Sequence, residues 1–81
     1  MEDILIKVQA VFHDAFDIDP RAISLETSPG DVPGWDSVGH LELTSRLEQV
    51  FGLTLDVDDL MEMENVHAIV KIVQAKLLPA A

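Results

Sequence analysis

Between residues 17 and 35 the chain cannot form a long helix or a paired strand, because Pro20, Pro29, Pro33, Gly30 and Gly34 all fall there. Proline has no N–H to donate and its ring clashes with the preceding turn. Everything else must fold on either side of this interruption. Before it, Ile4, Val8, Val11, Phe12 and Ala15 share one helical face and predict a first helix over about residues 2–16, with Glu2 and Asp3 at the positive end of its dipole. After it, Asp36 and Ser37 are both good N-cap residues. Val38, Leu41, Leu47, Val50 and Phe51 then predict a second helix over about residues 37–51, closed by Gly52. Gly39 inside that helix costs roughly 0.5–1 kcal/mol against Ala, so a compensating contact is expected.

Asp56 with Asp59 three residues on marks a short third helix over about residues 57–62, extendable through Met63 and Glu64 and too short to stand alone. Asn65 caps a last amphipathic stretch in which Val66, Ile69, Val70, Val73 and Leu77 repeat at helical spacing. Lys71 and Lys76 lie toward its negative end, and Pro79 stops it. No segment alternates as a strand does. The expected fold class is therefore all-α: a four-helix bundle with three long helices, one short third helix and a long loop between helices one and two. Loops beyond about 12–15 residues are uncommon unless functional or pinned. Ile18, Ile23, Leu25, Val32 and Trp35 are the residues able to pin this one, with a single helical turn from Pro20 behind Asp19.

With 81 residues, residues 1–81 read as a single domain, and 48% hydrophobic residues give a mean hydropathy of +0.23, enough apolar area to outweigh the ordering entropy. Asp and Glu number 15 against 5 Lys and Arg, a formal charge of −10. Such a surface repels nucleic acid and anionic lipid and favours basic patches on partner proteins. The chain has no cysteine, which excludes a disulfide framework, a thiolate metal site and a cysteine nucleophile at once. Any thiol chemistry must come from outside the sequence. No apolar run reaches the length of a membrane span and Met1-Glu2-Asp3 is unlike a basic secretory signal, so a cytoplasmic monomer is the expectation.

The segment Gly34-Trp35-Asp36-Ser37-Val38-Gly39-His40-Leu41-Glu42-Leu43, continuing through Leu47-Glu48 to Phe51-Gly52, resembles the modification-site helix of acyl carrier proteins. The resemblance extends through the long loop, the short acidic third helix and the apolar fourth helix. It implies that a phosphopantetheinyl transferase moves 4′-phosphopantetheine from coenzyme A to Ser37, and that the new terminal thiol carries acyl or aminoacyl groups as thioesters. On this reading the chain is a carrier and not an enzyme. Asp36 would support the Ser37 hydroxyl and the Mg²⁺ used by the transferase, or serve as the better N-cap of the two. Glu42, Glu48, Asp56 and Asp59 are candidates for docking on basic patches of acyl-loading and acyl-processing enzymes. They belong to a run of eight carboxylates between Trp35 and Asn65 that faces only one base, Arg46. Val38, Leu41, Met61, Met63 and Val66 are candidates for an acyl cleft, or for ordinary core.

Fatty acid synthase carriers of this family usually read Gly-Ala-Asp-Ser-Leu followed by an acid. Here Trp35 precedes Asp36, Val38 follows Ser37, and Gly39-His40 stand where the acid is expected. The resemblance is thus nearer to free-standing carriers of specialised pathways. Two other readings use the same residues. An unmodified acidic helical interaction module needs only the charged face, with Ser37 as a cap. A small enzyme would use Ser37 as nucleophile and His40, three residues on, as base, although no orienting acid is evident. His13, His40 and His67 fall on three different helices with no paired ligand spacing, and Asp56-x-Asp58-Asp59 lacks the spacing of a calcium loop, so no metal site is expected. Trp35 reads as a loop anchor, with a partner contact as the alternative.

Overall fold

The computed structural model describes residues 2–77, which form four α-helices in the order α1 (Glu2–Phe16), α2 (Ser37–Phe51), α3 (Val57–Glu62) and α4 (Val66–Leu77). These are the spans that periodicity and capping predict. Each boundary has a local cause. α1 stops where Asp17 turns left-handed at φ 54°, a conformation that its short polar side chain tolerates, while its N–H still reaches the carbonyl of His13. α2 stops at Gly52, also left-handed, whose N–H bonds the carbonyl of Glu48. α3 carries a reciprocal cap: Asp56 Oδ1 accepts from Asp59 N–H and Asp59 Oδ2 accepts from Asp56 N–H. Asn65 Oδ1 caps α4 by accepting from Ala68 N–H at 2.8 Å. The stop expected at Pro79 lies outside the described residues.

α1, α2 and α4 enclose the core: Val8, Val11 and Phe12 meet Leu43 and Leu47 and the fully buried Val66, Ile69, Val70 and Val73. Of the apolar residues expected to share the inward face of α2, Leu47 is buried and Phe51 packs on the core, but the other three do neither. Gly39, Leu43, Thr44 and Leu47 face inward, whereas Val38, Leu41 and Val50 are exposed. At about 100° per residue, positions 39, 43 and 47 align, and Leu41 stands roughly 200° from Gly39, on the far side. Gly39 supplies the compensation its position demands. A Cβ there would overlap the carbonyl oxygen of Gly34 and come within 2.9 Å of the Phe16 ring, so only glycine lets the incoming loop and α1 lie this close to α2.

The long loop is pinned as its apolar residues predict, with Ile23, Val32 and Trp35 buried and Ile18 and Leu25 packed on the core. Its polar fixings could not be read from periodicity. The carbonyls of Thr27 and Leu25 accept from the N–H groups of Val66 and His67, both at 2.9 Å, so the loop satisfies the open end of α4. Gln9 Nε2 reaches the carbonyl of Ile23 at 2.8 Å from α1. The one-turn 3₁₀ segment at Pro20–Ala22 forms behind Asp19 as expected. A second, at Pro29–Asp31, was not foreseen; the Asp31 carboxylate holds it by accepting from the Ser28 N–H and hydroxyl.

Candidate functional site

Asp36 and Ser37 divide the helix start between them. Asp36 is the N-cap: its backbone is extended, its Oδ1 accepts from Gly39 N–H at 2.9 Å, and its carbonyl accepts from His40 N–H at 2.7 Å. Ser37 is consequently the first helical residue, exposed, and free of any hydrogen bond from its hydroxyl among the described residues. The preceding turn presents it: Gly34 is left-handed at φ 90° and its carbonyl accepts from Asp36 N–H at 3.0 Å. The N–H groups of Ser37 and Val38 have no partner among the described residues. They stand at the positive end of a 15-residue helix. An anionic phosphodiester on Ser37 fits this setting, because the open donors and the helix dipole both favour negative charge there.

A depression of about 350 Å³ opens beside the serine between the loop, α2 and α3, with Pro29, Trp35, Ser37, His40, Leu60 and Met63 on its walls. Its floor is hydrogen-bonded shut. Trp35 Nε1 donates to His40 Nδ1 at 2.9 Å, and His40 Nε2 lies 2.9 Å from the carbonyl of Leu60. With both ring nitrogens committed, His40 cannot serve Ser37 as a base, which removes the geometry of the small-enzyme reading. Trp35, 3% exposed, is the loop anchor expected of it and packs edge-on against Phe12.

The five acyl-cleft candidates do not converge. Val38, Leu41 and Met61 are exposed at 77%, 61% and 74%, while Met63 and Val66 are buried, Met63 alone of the five bordering the depression. Helical phase separates them, since Val38 and Leu41 lie off the inward stripe of α2 and Met61 off that of α3. The four docking candidates also divide. Glu42 is exposed and pairs with Arg46 one turn on at 3.2 Å. Asp56 is exposed and closes the α3 cap. Glu48 Oε2 instead accepts from Leu55 N–H at 2.9 Å, and Asp59 bonds Lys76 of α4 at 2.8 Å with its side chain only 17% exposed. The Lys76 ammonium and the Asp56 N–H hold the Asp59 carboxyl below its ordinary value of 3.8, and Asp59 in turn raises Lys76. Both acids hold α3 in place, a task invisible to charge counting.

Sequence reading passed over the partnership of Trp35 and His40. Its signal was present: a buried indole in a loop must find an acceptor, and His40 stands one turn into the adjoining helix. His13, His40 and His67 remain on separate helices, and among the described residues no three His, Asp or Glu side chains gather as metal ligands. No helix among the described residues is long and apolar enough to cross a membrane.

The family model described as "Phosphopantetheine attachment site" matches residues 7–73. The chain belongs to this family. As a carrier domain it is 32% identical over 79 residues to the non-reducing polyketide synthase pkdA of Emericella nidulans and 30% identical over 78 to the non-reducing polyketide synthase pigA of Monascus ruber. These alignments cover 94% and 96% of this chain but span only 3% of either synthase. It is 29% identical over 77 residues to the acyl carrier protein of Phenylobacterium zucineum, covering 95% of this chain and 98% of that one. The solution structure of holo acyl carrier protein from Geobacter metallireducens superposes with a TM-score of 0.81 at 30% identity, over 90% of this chain and 84% of that one. The chain is thus a phosphopantetheine-attachment domain of the acyl carrier type, and it spans only a small part of the two synthases it matches.

Proposed function

We propose that Ser37 is the attachment residue and that the carrier serves a specialised biosynthetic pathway, presenting acyl or aminoacyl thioesters to partner enzymes with basic docking patches. The observation that carries the assignment is the division of labour at the start of α2. Because Asp36 makes the cap, Ser37 is released from that duty and its hydroxyl projects from the first turn. In the attachment step the Ser37 Oγ–P bond forms as the pyrophosphate bond of coenzyme A breaks. The hydroxyl proton passes to the transferase and 3′,5′-ADP departs. The bound arm supplies a thiol, which the chain itself lacks.

Glu42 on α2 and Asp56 at the start of α3, both exposed, are the docking residues this reading retains, with Asp58 and Glu62 adding charge from α3. Exposed Val38, Leu41 and Met61 place apolar contact area among those carboxylates. What supports the specialised role is the departure of Trp35, Val38 and Gly39-His40 from the motif usual in fatty acid synthase carriers. Intact mass after incubation with coenzyme A, Mg²⁺ and a broad-specificity phosphopantetheinyl transferase tests the assignment. One phosphopantetheinyl group is expected on the wild type and none on Ser37→Ala; a modified alanine variant, or an unmodified wild type, overturns it.

A further inference from the structure

Trp35, His40 and Leu60 form one hydrogen-bonded chain across three parts of the molecule. The indole is a donor only, so its contact with His40 fixes Nδ1 as the acceptor and leaves the ring proton on Nε2. Nε2 then donates to the Leu60 carbonyl, which lies in the last turn of α3. A single neutral imidazole on α2 therefore holds the buried loop ring on one side and α3 on the other. Among the described residues this is the one side-chain hydrogen bond between α2 and α3. Leu43, three residues on from His40, and Val66, three on from Met63, are both fully buried in the core.

Entry of a long alkyl chain between α2 and α3 requires the two helices to part. Parting them breaks the bond to Leu60, and displacing the imidazole leaves the indole N–H in a buried site without an acceptor, the costly kind of loss. The depression itself, at about 350 Å³, stays open to the surface and offers its occupant no unspent nitrogen from Trp35 or His40. We infer that the Trp35–His40–Leu60 clamp is a specificity determinant that closes the bundle interior to cargo, so that the carrier handles short acyl groups resting beside Ser37. This rests on the carrier reading proposed above. His40 acts here as a positioning residue.

The test loads the full chain with acetyl- or decanoyl-phosphopantetheine from the corresponding acyl coenzyme A, verifies each by intact mass, and compares NMR spectra. The single tryptophan gives one indole N–H resonance that reports the clamp. In the wild type the Leu43 and Val66 methyl resonances are expected to coincide in the two forms. In His40→Ala they shift in the decanoyl form only. In His40→Gln, which keeps a donor and an acceptor, they coincide again. A general loosening by the alanine variant would move both forms alike and would overturn the inference. So would a decanoyl-dependent shift in the wild type, a comparison that decides the matter even where His40→Ala does not fold. Failure to gain mass at all refutes the carrier reading, and this inference with it; mass gain followed by wild-type insertion refutes the inference alone.

Discussion

The loop between α1 and α2 and the helix α3 invert the usual relation between regularity and burial. The loop has only two single turns of 3₁₀ helix, yet it places Ile23, Val32 and Trp35 in the core and closes the start of α4 with its carbonyls. α3 is a regular helix with a complete cap, yet none of its six residues is buried. It is held by polar ties from three directions: Glu48 to Leu55 just before it, His40 to Leu60 within it, and Lys76 to Asp59 from α4. Local hydrogen bonding decides whether a segment is regular; apolar area and long-range bonds decide whether it is integrated.

The contrast can be broken most directly at Trp35. Trp35→Ala removes a buried ring and leaves His40 Nδ1 without its donor, and should cost about 3–5 kcal/mol in urea unfolding, with the melt remaining cooperative. Leu60→Ala, on the half-buried face of α3, should cost clearly less. Equal losses would show that α3 is as integrated as the loop. Gly39→Ala comes next. Helix propensity favours alanine, but the overlap with the Gly34 carbonyl should make the change destabilising by about 1–3 kcal/mol. A stabilised variant would mean that the loop does not press on α2 as described.

Asn65→Ala, which removes the cap from α4, should cost about 1 kcal/mol, since the loop carbonyls still hold two of the N–H groups there. The smallest effect is expected at Asp59. Its carboxyl is lowered by Lys76, so the stability it adds is present above the ordinary value of 3.8 and is lost as pH falls through its folded-state value. The raised Lys76 adds stability below 10.5 that is lost as pH rises through its own folded-state value. The urea midpoints of wild type and Asp59→Asn should therefore differ at neutral pH and converge toward acid. A gap that persists in acid would remove the ion pair as the cause.

The four helices were legible because each has its own caps and its own apolar period, which are properties of neighbours in sequence. The helix start at Asp36 and Ser37 was legible for the same reason, whereas the attachment role proposed for Ser37 came from its resemblance to the family's motif and not from capping. The inward face of α2 was only partly legible because its apolar residues fall on both sides, Val38, Leu41 and Val50 outward against Leu43 and Leu47 inward, so no single stripe stands out. On the same helical phase the five acyl-cleft candidates divide between surface and core, and the ties of Glu48 and Asp59 escaped notice because their partners, Leu55 N–H and Lys76, are settled only by packing.

The sequence by itself determined an acidic, cysteine-free, all-helical chain with a serine at a helix start, since propensity, capping and charge act over a few residues. The tertiary structure decided which apolar residues face inward, why Gly39 must be glycine, and that Trp35, His40 and Leu60 are tied together beside Ser37. Those features depend on segments as far apart as residues 34, 40 and 60 coming within hydrogen-bonding or van der Waals range, and no local pattern encodes that approach.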